Sequence, residues 1–161
     1  MNVGIEEALD KGQELYDCLI EIANEMVGSY TEPIDKLIND VKDRIEDITN
    51  DEIRVVISKL SLFAWSFGEV KEKSAFKATA QKLIKDEEYA KAFIKIEGAQ
   101  ETKKQQATLN ISDENAANLL CELVSNLLKT KLDEIHRIVA TFTTVLMTRL
   151  SEAKLSVTTL E

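Results

Sequence analysis

The chain has 161 residues, among them one proline, five glycines, one histidine and two cysteines, with 44% apolar and 30% charged side chains and a formal net charge of −9. That composition excludes global disorder and a disulfide framework; it permits helix almost throughout, and supplies little from which to build a catalytic site. No apolar run reaches the roughly 20 residues that span a bilayer, and MNVGIEEALD has acids where an export signal carries Lys and Arg, so the sequence predicts a cytoplasmic, all-α protein with no membrane contact.

In chain order, the first segment is acidic. Residues 1–56 carry 15 acidic and 5 basic side chains, whereas the rest of the chain is nearly balanced. Ile5, Leu9, Tyr16, Leu19, Ile20, Ala23 and Met26 recur at helical spacing over about 5–27, and Gly28 is a residue that commonly closes a helix. Thr31-Glu32-Pro33 reads as a new start, a capping hydroxyl with proline in the first turn. Beyond it Ile34, Ile38, Val41, Ile45 and Ile48 form a heptad seam. Residues 1–48 are therefore predicted to be an acidic helical hairpin. Cys18 falls on the apolar side of its first arm, and Cys121 on that of the last helix, both expected as buried thiols.

Thr49-Asn50-Asp51-Glu52 has the spacing of a capping box and opens a long helix over 49–97. Its first half is the most apolar stretch of the chain, with Phe63, Trp65 and Phe67 expected in a core or subunit interface. Its second half is rich in alanine and lysine. Residues 71–104 hold nine lysines, Lys71, Lys73, Lys77, Lys82, Lys85, Lys91, Lys95, Lys103 and Lys104, against six acids. Most lysines of this kind belong to solvated helix faces; the functional alternative is a stripe that binds a polyanion. Within the stripe, Lys73, Lys77 and Lys85 are expected to share a row. Phe76, Tyr89 and Phe93 are expected mainly in the core, with stacking on bases as the alternative role.

Residues 98–111, GAQETKKQQATLNI, read as a linker. Ser112-Asp113-Glu114 caps a long C-terminal helix over 112–155. Its seam runs Ala116, Leu120, Leu123, Leu127 and resumes one residue later as Leu128, Leu132, Ile135, Val139, Phe142, Leu146. A helix of that length, about 60 Å, predicts an elongated hairpin or bundle that forms a homo-oligomer through its heptad-like seams. Ser156–Glu161 is expected to be a flexible tail.

The chemistry of a metal or nucleophilic site is not supported by these residues. His136 stands three positions after Asp133, but a carboxylate-bridged metal bundle needs a second such motif. No glycine-rich phosphate loop occurs, and no base sits beside either thiol. The expectation is a non-enzymatic protein with no cofactor and no bound metal.

The layout of an apolar-to-lysine-rich helix over about 54–97, a polar segment over 98–111 and a long C-terminal helix ending in Leu-Met-Thr-Arg-Leu resembles the UvsY-like recombination mediators of tailed phages. The resemblance covers roughly 54–150. It implies a helical oligomer that binds single-stranded DNA in the host cytoplasm and helps load a RecA-type recombinase, with the nine lysines meeting phosphates. A competing reading uses the acidic segment 1–48 as an inhibitor or adaptor that mimics a nucleic-acid backbone and binds a basic protein partner. A third is a coiled-coil assembly protein with no specific partner for either charged segment.

Overall fold

The structure is a computed structural model that describes residues 3–42, 44 and 47–158, with side chains described over 12–42, 44 and 47–155. It is an all-α bundle of four helices: α1 (Val3–Lys42), α2 (Asn50–Lys95), α3 (Gln100–Asn110) and α4 (Ser112–Thr158). Two compact units divide the chain, and α1, α2 and α4 each contribute to both. The first comprises Met1–Val27 and Lys71–Leu128, the second Gly28–Val70 and Lys129–Glu161. The one-residue phase shift in the seam of α4, between Leu127 and Leu128, falls where that helix leaves the first unit.

Among the described residues, the second unit has the larger apolar core. Ile34, Ile38 and Val41 of α1 meet Ile53, Val56, Leu60 and Ala64 of α2 and Ile135 and Phe142 of α4, with Ile48 from the connection between α1 and α2. Phe63 packs partly buried against this cluster, stacked at 5.4 Å on the buried Phe67. Leu132, Val139 and Leu146 fill its margin. The seam of α4 is thus occupied inside the chain, because three helices that each carry an apolar stripe can bury those stripes against one another.

The entry to α2 follows the expected capping box. The Thr49 N–H and Thr49 Oγ1 donate to Glu52 Oε2 at 2.9 and 2.8 Å, and the Glu52 N–H donates back to Thr49 Oγ1 at 3.2 Å. These bonds from the backbone and hydroxyl of Thr49, with Arg44 adding its charge, hold the Glu52 carboxyl below the usual carboxylate range. Ile48 and Ile53, just before the cap and at the fourth helical position, are both in the core, the arrangement of a hydrophobic staple. A guanidinium N–H of Arg149 donates to the Ile48 carbonyl and ties α4 to this corner. On the opposite margin Lys131 bonds to Asp35 and, at 2.8 Å, to Glu134. Burial works against the Lys131 charge, but its two carboxylate partners outweigh it and hold the ammonium above its ordinary range.

The hairpin expected over 1–48 does not form within 3–42. α1 runs unbroken through Gly28 and carries Pro33 in its interior. The buried residues Leu19, Ala23, Val27, Thr31, Ile34, Ile38 and Val41 follow one another at steps of three and four. Breaking the helix at Gly28 would interrupt that line, and Gly28 does not take a left-handed conformation. Burial along the line therefore overrides both local stop signals. Ile45 lies outside the described residues, as do the side chains of Ile5 and Leu9.

The first unit is held by Leu19, Ala23 and Val27 of α1, Ala107 of α3, Leu128 of α4 and Ile111 between the last two helices. Leu120, Leu123 and Leu127 are half-buried beside them. Asn118 is buried, and its Nδ2 donates to Glu122 Oε1 at 2.9 Å. Cys18 is exposed rather than buried, because it lies about 100° around α1 from Leu19. Cys121 is half-buried, and both thiols are free.

The linker expected over 98–111 is mostly helix. Gly98, the only positive-φ residue among those described (φ 126), ends the connection from α2, and α3 starts two residues later. Its residues are polar, yet Ala107 and Ile111 are buried four positions apart and anchor it to the unit. Ala99 stands at the N-cap with no side-chain hydrogen bond. Ala99→Asp is accordingly expected to stabilise the protein by about 0.5–1.5 kcal/mol, read from the urea midpoint at unchanged slope; a lower midpoint would show that α3 starts elsewhere. At the other end α4 continues helically through Thr158, beyond the start of the expected tail, and 159–161 lie outside the described residues.

Candidate nucleic-acid interface

A helix turns about 100° per residue, and that rotation sorts the nine lysines. Lys82, Lys85, Tyr89 and Phe93, spaced by three, four and four, lie along one side of α2 in the first unit. Lys85, Tyr89 and Phe93 are half-buried there, and Lys82 is exposed. The two rings stack with centroids 6.2 Å apart and an interplanar angle of 25°. After the turn at Gly98, α3 brings Lys103 Nζ over the Phe93 ring, 5.9 Å from its centroid, within reach of a cation–π attraction. Lys104 follows, exposed. The strip is thus an aromatic pair flanked by lysines from two helices.

The other lysines do not join it. Lys73, Lys77, Lys91 and Lys95 are exposed on the far side of α2. Lys91 is held by Glu87 and Glu88, each at 2.8 Å, and these hydrogen bonds raise its ammonium above the ordinary range. Lys71 pairs with Glu72 at 2.8 Å. The expected row of Lys73, Lys77 and Lys85 does not form: twelve residues of helix leave Lys85 about 120° from Lys73, half-buried. Among the described residues, Lys77, Lys82, Lys85, Lys95, Lys103 and Lys104 are in no ion pair.

The aromatic residues divide by the same rotation. Trp65 is 81% exposed in the second unit, so of the core or subunit interface expected for it, the core of the chain does not hold it. It lies two residues from both Phe63 and Phe67, hence about 160° around the helix from each. Phe76 is 75% exposed and shares its side of α2 with Leu83 and Ile94 rather than with Tyr89 and Phe93.

Two further features belong to the first unit. Glu14, Asp17, Glu21 and Glu25 form an exposed acidic row on α1, with Gln13 Nε2 donating to Asp17 Oδ1 at 2.8 Å. A groove of about 250 Å³ lies between Gly12, Leu15, Tyr16 and Leu19 of α1 and Leu119, Glu122, Leu123 and Asn126 of α4. It is apolar, and its one carboxylate, Glu122, already accepts from Asn118. Among the described residues no three His, Cys, Asp or Glu side chains come together to hold a metal ion, and no helix is long and apolar enough to cross a membrane.

Fold and strip together define an all-α protein with a mixed lysine–aromatic surface. Comparison with models of known families, with curated proteins and with solved structures gives no match to this chain.

The sequence alone did not single out the strip. The contribution of Lys103 depends on α3 being a helix, which its polar composition concealed. The Tyr89–Phe93 spacing of four was the one available signal.

Proposed function

We propose that the protein binds single-stranded DNA without enzymatic activity and acts as a recombination mediator or accessory factor of the UvsY-like kind. The observation that carries this reading is the placement of Lys82, Lys85 and Lys103 about the stacked Tyr89–Phe93 pair. Single-strand binders combine basic side chains that track the phosphates with rings on which bases stack, each stacked base contributing about 1–3 kcal/mol. Half-burial suits the rings to this role, since one face is fixed by packing and an edge or face remains accessible. Three lysines contacting phosphates give a salt slope of about −2 for a single strand.

Fluorescence anisotropy of a labelled oligonucleotide at several salt concentrations tests it. Lys82→Glu with Lys103→Glu should weaken binding more than about tenfold and flatten the slope by about 1.4, with helicity unchanged. Lys73→Glu with Lys77→Glu, on the far side of α2, should do much less. Equal loss from both pairs would reduce the strip to nonspecific charge, and no binding at low salt would overturn the proposal.

The acidic row of α1 favours a second reading, an inhibitor or adaptor for a basic protein. Residues four apart on a helix rise about 6 Å, close to the spacing of successive phosphates on an extended strand. This reading expects no affinity for DNA and salt-sensitive binding of a basic protein, lost in Asp17→Lys with Glu21→Lys.

A further inference from the structure

Beyond Phe67, α2 has no buried residue, although it continues to Lys95. Its outward side in the first unit is nevertheless apolar. Phe76, Leu83 and Ala90 recur every seven residues, with Ile94 beside them; Phe76, Leu83 and Ile94 are 75%, 66% and 80% exposed. An exposed helix side normally carries polar residues, and a seven-residue apolar repeat is the pattern by which helices pair with other helices.

The flanks of this seam differ in charge. With Phe76, Leu83 and Ala90 at d and Ala80, Glu87 and Ile94 at a, the g positions include Glu72 and Asp86 and the e positions include Lys77 and Lys91. In a parallel, in-register pair each g residue meets the e residue five positions on in the partner. Glu72 then faces Lys77, and Asp86 faces Lys91, on both edges of the pair. An antiparallel pair brings e against e and g against g, which sets lysine beside lysine and acid beside acid.

We propose that this side of α2 is a self-association surface that takes the same surface of a second copy of the chain, with the two helices parallel. Glu87 at an a position faces its own copy, held by Lys91 at 2.8 Å; a polar residue there fixes register at a cost in stability. Because the apolar seam is short, the association is weak and concentration-dependent. Its midline lies about 130° around α2 from that of the lysine–aromatic strip, with Phe93 at a g position on the flank between them, and it does not rest on the DNA-binding reading.

Sedimentation across a wide concentration range tests the proposal on the full chain, with circular dichroism as the control for folding. The wild type should shift reversibly from monomer to a larger species. Leu83→Asp should raise the half-association concentration more than about tenfold, because a carboxylate enters an apolar contact. Surface charge changes, which leave the core untouched, supply the second arm. Lys77→Glu and Glu72→Lys should each weaken association, and the two together should restore it, as opposite charges again face one another. Lys82→Glu with Lys103→Glu should associate like the wild type. A monomer at all concentrations overturns the proposal, as does association indifferent to Leu83→Asp. Failure of the double charge variant to recover overturns the parallel arrangement.

Discussion

Ile135→Ala is expected to lower the unfolding free energy by about 2–5 kcal/mol. Ile135 is fully buried in the second unit, where the cluster also contains the fully buried Ile53 and Leu60 of α2. Truncation removes three carbons from a site whose neighbours belong to stiff helices, so the space closes only in part and a cavity term adds to the lost transfer energy. Val139→Ala, one turn further along α4 and half-buried, should cost clearly less. Urea unfolding followed by circular dichroism measures both. A loss below about 1 kcal/mol at Ile135 would mean that α4 does not use this side to pack within the chain, and would return its seam to the interface between chains expected from sequence.

Pro33→Ala should have the opposite sign. Pro33 is exposed in the interior of α1, where it has no N–H to donate to the preceding turn and its ring crowds that turn's carbonyl. An interior proline is less favourable than alanine by about 3 kcal/mol; some of that is offset because proline also restricts the unfolded chain. The expected gain is about 1–3 kcal/mol, read as a higher urea midpoint. Gly28→Ala on the same helix should gain up to about 1 kcal/mol, since no neighbouring atom lies within 4 Å of the added Cβ and the backbone is not left-handed. A loss of stability in Pro33→Ala would show that α1 needs a break at this position, which is the hairpin expected from sequence.

These two variants mark where local signals stop deciding the structure. Local signals, the periodicity of apolar residues and the chemistry of the caps, were sufficient for helix type outside 98–111, for the capping box at Thr49–Glu52 and for the start of α4 at Ser112, because each depends on contacts within a few residues along the chain. The same signals misplaced the end of the first helix: Gly28 and Thr31-Glu32-Pro33 have the chemistry of a stop and a start. Seven buried positions on one line of α1 nevertheless keep the helix continuous. The polar segment 98–111 misled in the other direction, since two small anchors, Ala107 and Ile111, suffice to fix α3.

The candidate surfaces divide in the same way. That lysines and aromatics are concentrated over 71–104 is a property of the sequence. Which of them share a side depends on helical rotation and, for Lys103, on the return of the chain through Gly98 onto Phe93. By itself the sequence determined an all-α protein, its charge asymmetry and most of its helix boundaries. Only the tertiary structure decided that α1 is continuous, that the α4 seam is filled within the chain and that an apolar side of α2 faces outward. The physical reason is that an apolar stripe states only that something must cover it; which partner does so is settled when all the stripes compete for burial at once.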